Sequence, residues 1–244
     1  MQNKIVVLLK THVWNDDLEK FATKIYNEAT LSNVDFFILM HDETNSLTVQ
    51  NDILKKVIIK FTEADIKNIY QVGFYSMWLS NHWILMYFYQ KYKDIYQYFW
   101  SIEYDVRISG DSSQIWKHNS NCDFLYVRGN YLNQNNYYRN HYVGDKLASH
   151  QKYYGFLQLA RYSNVALAYL NDCYVGGENG QDELITFSLL NRGKFTGSKT
   201  YLQSLIKGTW TWESKYVDYN KKIYNKHELN PDPNGSVYIF HPVK

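Results

Sequence analysis

The segment from Trp100 to Gly110 constrains this chain more than any other stretch. It opens on an apolar, aromatic run that is typical of a buried strand, and two carboxylates follow, Glu103 and Asp105. Because side chains alternate along a strand, we expect these two acids to share one side and Tyr104 to face the other. Two hard oxygen ligands at a strand end suit a divalent cation that keeps open positions for phosphate oxygens.

Around this segment, strand-like and helix-like stretches alternate. Apolar runs predict strands over residues 5–9, 34–40, 57–59 and 98–103. Helices are expected between them, over 16–28 and over a long aromatic stretch, 74–92. This alternation predicts an α/β fold with a Rossmann-like, mostly parallel sheet and helices on both faces. Ligands bind beyond the carboxyl ends of such strands, where Thr11, Asp42 and Glu103 all stand.

The second half of the chain is less regular. A strand is predicted over 123–128, and Ser163 is expected to cap a helix. A glycine-rich turn over 176–180 leads into an amphipathic helix over 182–191. Since no linker or repeat interrupts the sequence, we expect a single domain over 1–244.

Composition limits the functional classes. The formal net charge of +2 is too small, and its charges are too interspersed, to indicate nucleic-acid binding. Aromatic residues make up 18% of the chain, which suits sugar recognition but also core packing. Cys122 and Cys173 lack metal-type spacing, so we expect a reducing cytoplasm. No apolar run is long enough to span a membrane, and contact with a membrane surface stays open.

The W-x-I-E-Y-D-V-R-x-S-G pattern of the first segment resembles a poorly characterised subgroup of the GT-A class of nucleotide-sugar-dependent glycosyltransferases. In that class a strand-end acidic motif holds Mn²⁺ or Mg²⁺, which implies Glu103 and Asp105 as ligands here. Glutamate stands where aspartate is commoner. The closing F-H-P-V-K is similar to a late histidine that completes the metal shell, so the resemblance implies His241 as a third ligand and Lys244 as a diphosphate partner.

The turn after residue 176 carries a second implied role. Gln181, Asp182 and Glu183 are similar to the acidic motif that starts a helix in inverting enzymes of the class. The resemblance implies Asp182 as the general base, with Glu183 as the second choice. The alternative is that these acids only stabilise a helix N-terminus, by a few tenths of a kcal/mol.

Three polar residues after the first two strands are candidates for holding the nucleotide. Thr11 and His12 stand where the class places the base and ribose, and Asp42 stands where an acid often contacts them. Each is equally well explained as an ordinary loop residue. Arg107 is interpreted either as a residue that binds phosphate or as a surface partner of Asp111, and the second interpretation is favoured.

The resemblance therefore implies a metal-dependent, inverting glycosyltransferase that moves one sugar from a nucleotide-diphosphate sugar to a glycan or lipid-linked glycan. Residues 1–105 would bind the donor nucleotide, and 106–244 the acceptor. Two alternatives remain open. A sugar-nucleotide pyrophosphorylase would need a glycine-rich basic loop after the first strand, where this chain has no glycine. A non-catalytic carbohydrate-binding protein gives no reason for acids at three strand ends.

Overall fold

The structure is a computed structural model that describes residues 4–70, 80–131, 147 and 152–244. The strands are β1 (Ile5–Thr11), β2 (Asp35–His41), β3 (Ile58–Phe61), β4 (Tyr98–Glu103), β5 (Arg107–Ser109), β6 (Phe124–Tyr126), β7 (Gly129–Tyr131), β8 (Tyr153–Gly155), β9 (Leu159–Ser163), β10 (Gly197–Ser198) and β11 (Tyr238–Phe240). The helices are α1 (Asp16–Leu31), α2 (Asp52–Lys55), α3 (Glu63–Lys67), α4 (His82–Tyr92), α5 (Ser113–Trp116), α6 (Asn164–Val175), α7 (Asp182–Arg192), α8 (Thr200–Leu205) and α9 (Val217–Leu229), with a 3₁₀ turn over Ser214–Tyr216.

A seven-stranded sheet, in the order β10-β6-β9-β4-β1-β2-β3, forms the centre of the fold. β1 pairs in parallel with β2 and β4, and β2 pairs in parallel with β3. β9 runs antiparallel to its neighbours β4 and β6. The predicted α/β fold with a mostly parallel sheet is therefore confirmed. Because β4 lies near the middle of the sheet, Glu103 emerges at the centre of its carboxyl edge.

Side-chain alternation along β1 divides the core into two layers. Val6 and Leu8 pack with residues of α4, α6 and α7, whereas Val7 and Leu9 pack with residues of α1. All four side chains are fully buried, and burying such a side chain contributes about 1.5–3 kcal/mol. Helices thus cover both faces of the sheet, as predicted, and hold its carboxyl edge in place.

Most predicted elements occur close to their predicted bounds. The first four strands are β1, β2, β3 and β4, and the strand predicted over 123–128 is the shorter β6. The Ser163 hydroxyl accepts a hydrogen bond from the Ala166 N–H at 3.2 Å and caps α6, as predicted. The helix predicted over 74–92 is α4 from His82 onward, and positions 74–79 lie outside the described residues.

The structure also describes the features relevant to membrane insertion and to the state of the cysteines. Within the described ranges, no helix is both long enough and apolar enough to cross a membrane. Cys122 and Cys173 are both free thiols.

The helix α7 lies very close to β8. Ser188 accepts a hydrogen bond from the Tyr153 N–H at 2.9 Å and donates its hydroxyl to the Tyr153 carbonyl at 3.1 Å. At Gly155, a Cβ atom would lie 2.6 Å from the ring of Phe187. This contact packs β8 directly against the helix that begins at Asp182.

We expect Gly155→Ala to lower the thermal midpoint of unfolding, since the added methyl group overpacks the β8–α7 contact at a cost of about 1–3 kcal/mol. Thermal denaturation followed by circular dichroism measures the effect. Adding Phe187→Leu should recover part of the loss, because the smaller side chain makes room for the methyl group. A Gly155→Ala variant as stable as the parent chain would contradict the close contact.

Candidate metal centre

A tight turn after β4 brings Glu103 and Asp105 together. Strand alternation is not the cause, because β4 ends at Glu103 and the Val106 N–H donates to the Glu103 carbonyl at 3.0 Å. The buried Arg107 guanidinium donates to the carbonyls of Tyr104 and Val106 at 2.7 and 2.9 Å. Arg107 therefore holds the shape of the turn, and the expected pairing with Asp111 does not occur among the described contacts.

His241 comes from the other end of the sequence to meet these acids. The antiparallel pairing of β11 with β5 carries it there, and the Val243 N–H donates to the Asp105 carbonyl at 2.8 Å. Glu103, Asp105 and His241 each offer one ligand atom, and these atoms all lie within 4.8 Å of one another. We call these three residues the metal triad. The structure thus brings together the three residues implied as ligands.

The metal triad fits a divalent cation. Two carboxylates and an imidazole suit Mn²⁺, and ligands at about 2.0–2.2 Å from one ion lie within roughly 4.4 Å of one another. Oδ1 of Asp105 lies 3.4 Å from Nε2 of His241. Yet this oxygen is buried and makes no hydrogen bond within the described structure. Leaving a buried acceptor unpaired costs about 1–3 kcal/mol, which coordination to a cation would relieve.

The two acids of the metal triad have opposite electrostatic surroundings. Burial raises the pKa of Glu103, against the effect of Lys10 and with Asp105 adding to the rise. Burial also acts to raise the pKa of Asp105, but His241 and Lys244 outweigh it and lower that pKa. Asp105 is therefore the more acidic member of the pair, and a bound cation would lower the pKa of both carboxyl groups.

Lys10 and Asn81 fix the longer side chain of Glu103. Asn81 Nδ2 donates to Oε1 of Glu103 at 2.7 Å, and Lys10 Nζ lies 3.5 Å from the same oxygen. Both contacts fall on Oε1, so they orient the carboxylate without using Oε2. Neither residue was predicted from the sequence, although a lysine at the end of the apolar run of β1 is a signal for a buried charge that needs a partner, and Lys10 pairs in register with Glu103.

Asp182 is the first residue of α7 and is buried. Its Oδ1 accepts hydrogen bonds from Gln181 Nε2 and from the Glu183 N–H, both at 2.7 Å. Burial raises the pKa of Asp182 well above its usual value, and the charges of Glu183 and Glu103 add to the rise. The charge of Glu103 thus acts on Asp182 across the carboxyl edge of the sheet.

Gln158 links the α7 acids to the metal triad. Its Nε2 donates to Oε1 of Glu183 at 2.7 Å, and its backbone carbonyl accepts from the Glu103 N–H at 2.9 Å. Its Oε1 accepts from the indole of Trp210 at 3.4 Å. The Trp210 ring in turn packs against His241, with 5.2 Å between ring centroids. Gln158 was not predicted as a site residue, because its partners are distant in sequence.

The residues predicted to follow the first strand lie at the carboxyl end of β1. The Thr11 hydroxyl accepts from the Val13 N–H at 3.1 Å, so it closes the turn after β1. His12 is exposed, and its ring meets Tyr104 edge-on with 4.8 Å between centroids. The ammonium of Lys244 lies 5.7 Å from the centre of the same Tyr104 ring. Tyr104, which had no assigned role, therefore joins His12 and Lys244 into one wall.

Asp42 is engaged by its own loop. Its Oδ1 accepts from the Ser46 N–H at 3.0 Å, and its Oδ2 accepts from the Leu47 N–H at 3.1 Å and from Lys60 Nζ at 2.8 Å. Burial acts to raise the pKa of Asp42, but these hydrogen bonds and the Lys60 charge lower it. The carboxylate thus shapes the loop after β2, and a role toward a nucleotide stays a prediction.

A second group of possible ligands lies at the surface. His41, Glu43 and Glu63 also offer ligand atoms within 4.8 Å of one another. However, Glu43 already accepts from His41 Nε2 at 2.8 Å and from the Glu63 N–H, and 48% of its side chain is exposed. Glu63 also pairs with Lys67 at 2.9 Å. The side chains of this surface network already have hydrogen-bond or ion-pair partners, so Glu43 is a suitable control for changes in the metal triad.

Asn220 of α9 positions His241. It is fully buried, and its Nδ2 donates to the carbonyls of Thr209 and His241 at 2.8 and 2.9 Å. Its Oδ1 accepts from the Thr209 N–H at 3.0 Å. Gly208 makes room for it, because Gly208 adopts a φ of +74° and a Cβ there would lie 2.5 Å from Oδ1 of Asn220.

Comparison with known proteins gives similarity in structure alone. No protein-family model matches the sequence, and no curated protein matches it. The galactosyltransferase LgtC, solved with donor and acceptor sugar analogues, is 10% identical over 96% of this chain and 86% of its own, with a TM-score of 0.47.

Two further solved structures are similar over less of their own length. A glycosyltransferase involved in glycosylation of the major capsid of PBCV-1 is 9% identical over 70% of this chain and 65% of its own, with a TM-score of 0.36. A Drosophila β1,4-galactosyltransferase 7 variant, solved with manganese, UDP-Gal and xylobiose, is 11% identical over 80% of this chain and 64% of its own, with a TM-score of 0.41. The chain thus spans less than two thirds of each. All three proteins are glycosyltransferases, and the likeness concerns only the course of the chain.

We expect Asn220→Ala to weaken Mn²⁺ binding about tenfold or more, the effect usual for residues that hold a metal ligand in place. The variant removes the hydrogen bond that fixes the His241 backbone, so the imidazole loses its position. Isothermal calorimetry with Mn²⁺ alone measures the affinity.

Asn230→Ala is the matched control. Asn230 follows the same helix, is exposed, and contacts only the Lys226 carbonyl among its described side-chain hydrogen bonds, at 3.3 Å. Its Mn²⁺ affinity should equal that of the parent chain. If Asn220→Ala lowers stability yet binds Mn²⁺ normally, Asn220 supports the fold and not the metal triad.

Proposed function

We propose that this protein is a metal-dependent glycosyltransferase that moves one sugar from a nucleotide-diphosphate sugar to a hydroxyl group of a glycan or lipid-linked glycan. The observation that supports the proposal is the convergence of Glu103, Asp105 and His241 within 4.8 Å, with a buried Asp105 oxygen that makes no hydrogen bond in the described structure and lies 3.4 Å from His241 Nε2. When bound there, Mn²⁺ or Mg²⁺ would neutralise the charge that develops on the departing diphosphate.

The wall formed by His12, Tyr104 and Lys244 supports a donor site beside the metal triad. Lys244 is exposed and its charge acts on both Asp105 and His12, so its ammonium lies within reach of a ligand held at the triad. An ammonium there would pair with a diphosphate oxygen. The aromatic ring of Tyr104 and the imidazole of His12 offer flat surfaces to a nucleoside.

Asp182 is the residue we assign as general base, with Glu183 as the alternative. The acceptor oxygen would form a bond to the anomeric carbon while the bond from that carbon to the diphosphate breaks. The diphosphate keeps the electron pair, and the acceptor proton passes to a carboxylate of α7. Burial that raises the pKa of Asp182 makes it a stronger base than an exposed aspartate. Attack from the face opposite the diphosphate would invert the anomeric centre.

We expect Mn²⁺ to strengthen the binding of UDP or GDP to the parent chain, measured by calorimetry at constant ionic strength. Asp105→Asn and His241→Ala should each abolish this strengthening, because each removes a ligand of the metal triad. Glu43→Gln should leave it unchanged, since Glu43 belongs to the surface network. Nucleotide binding that is indifferent to Mn²⁺ in the parent chain would overturn the proposed role of the triad.

We expect Asp182→Asn to keep Mn²⁺-dependent nucleotide binding and to lower sugar transfer by about 10²–10⁴-fold, the usual contribution of a general base. A screen of nucleotide sugars against glycan acceptors, followed by detection of the released diphosphate, provides the assay. Asp52→Asn, an exposed acid paired with Lys55, is the control and should transfer normally. Full activity in Asp182→Asn would move the base to Glu183 or indicate a retaining reaction.

A further inference from the structure

A small polar recess lies beneath Glu103, on the same side of the sheet. Tyr174 and Thr186 line it with side chains whose hydroxyl groups bond to each other at 3.0 Å. Its other polar lining comes from Lys10 of β1, His82 of α4, Ser101 of β4 and Tyr162 of β9. These four side chains are between 1% and 5% exposed. The space left for the centre of an oxygen atom is about 10 Å³, which is room for roughly one water-sized group.

The recess gathers polar atoms without partners. Both ring nitrogens of His82, the Ser101 hydroxyl and the Tyr162 hydroxyl are buried and make no hydrogen bond within the described structure. Lys10 has three donor hydrogens, and its one described hydrogen bond reaches Glu103 at the long distance of 3.5 Å. Buried polar groups are nearly always satisfied in native proteins, so this concentration of unpaired atoms points to a missing partner.

The chemistry of the lining defines that partner. Burial lowers the pKa of His82 to about 3, so its ring is neutral and offers one donor and one acceptor. The two hydroxyl groups can each donate or accept. The Lys10 ammonium repels a cation, while the nearby Glu103 disfavours an anion. A neutral group that both donates and accepts, and that is no larger than one oxygen, matches all of these constraints.

We propose that this recess is a binding site for a single hydroxyl oxygen, held by Lys10, Ser101, Tyr162 and His82. The oxygen belongs either to an ordered water molecule or to one hydroxyl group of the donor sugar. The second source rests on the proposed function, whereas the site itself does not. In either case the oxygen gives the buried Lys10 ammonium a second partner and so steadies its contact with Glu103.

The location of the recess connects it to the transfer site. Asn81, adjacent to His82, donates to Glu103, and Thr186, one helical turn after Asp182, lines the recess. The recess therefore lies below the carboxyl edge of the sheet, beneath the region in which the proposed function would place a transferred sugar. Only a hydroxyl group at one position on the sugar ring would reach into the recess, so the recess would favour donor sugars that carry a hydroxyl group there.

The sign of a stability change tests whether an oxygen is bound. Ser101→Val fills the recess, so it should lower the thermal midpoint by about 2–4 °C if it displaces a bound oxygen and strands the remaining polar atoms. In a dry recess the same change fills a cavity and raises the midpoint. Tyr162→Phe should likewise lower the midpoint if its hydroxyl holds an oxygen, and leave it unchanged or raised if the hydroxyl is unpaired. A fall in both variants supports the site, and any other pattern overturns it.

If either variant fails to fold, a crystal structure of the parent chain decides whether the recess holds an oxygen. Electron density for an oxygen within about 3.2 Å of Lys10 Nζ and of at least one other lining group supports the site. A recess without such density overturns it.

Nucleotide binding identifies the source of the oxygen. With Mn²⁺ present, Tyr162→Phe should bind UDP or GDP like the parent chain. If the sugar supplies the oxygen, the variant should bind the matching nucleotide sugar about tenfold more weakly; if water supplies it, both affinities stay unchanged. If the parent chain does not bind nucleotides with Mn²⁺ at all, the proposed function fails, while the stability and density tests still decide the recess.

Discussion

The pairing of β11 with β5 is the interaction on which the candidate site depends. It brings the last residues of the chain against the turn that follows β4, where the Val243 N–H bonds to the Asp105 carbonyl. This pairing places an imidazole next to two carboxylates that the sheet alone would leave without a third ligand. Asn220, for which Gly208 makes room, then holds the His241 backbone carbonyl, and the Trp210 ring packs against the imidazole. The metal triad is thus assembled by contacts between elements and not by one local motif.

Buried charge is the second constraint. Lys10, Glu103 and Asp182 lie in the interior, where an isolated charge is expensive and a charge with partners is tolerated. The charge of Lys10 acts on Glu103, and the charges of both act on Asp182, so these groups form one electrostatic network at the carboxyl edge of the sheet. A cation at the triad and an oxygen in the recess would both add partners to this network. The proposed function and the proposed oxygen site are linked because both supply partners to the same buried charged groups.

The fold was largely predictable because its signals are local. Continuous apolar runs mark strands that are buried on both faces, and β1 and β4 appear where such runs predict them. The Ser163 cap and the start of α7 at Asp182 were readable for the same reason. In the site, Glu103, Asp105 and His241 were found through a family resemblance, and the structure places them together. Arg107 and Asp42 show the limit of such reasoning, since both bond to nearby backbone groups that no motif reveals.

By itself, the sequence determined the α/β alternation, the acids at the strand ends and the position of Glu103 at the carboxyl end of a buried strand, because these follow from periodicity along the chain. The tertiary structure decided how Asp105 reaches the same side, which carbonyl groups Arg107 holds, and that Lys10, Ser101, Tyr162 and His82 surround one recess. These arrangements join residues that are far apart in sequence. Their contacts depend on the order and register of the strands. A local sequence pattern does not indicate which distant strand becomes a neighbour.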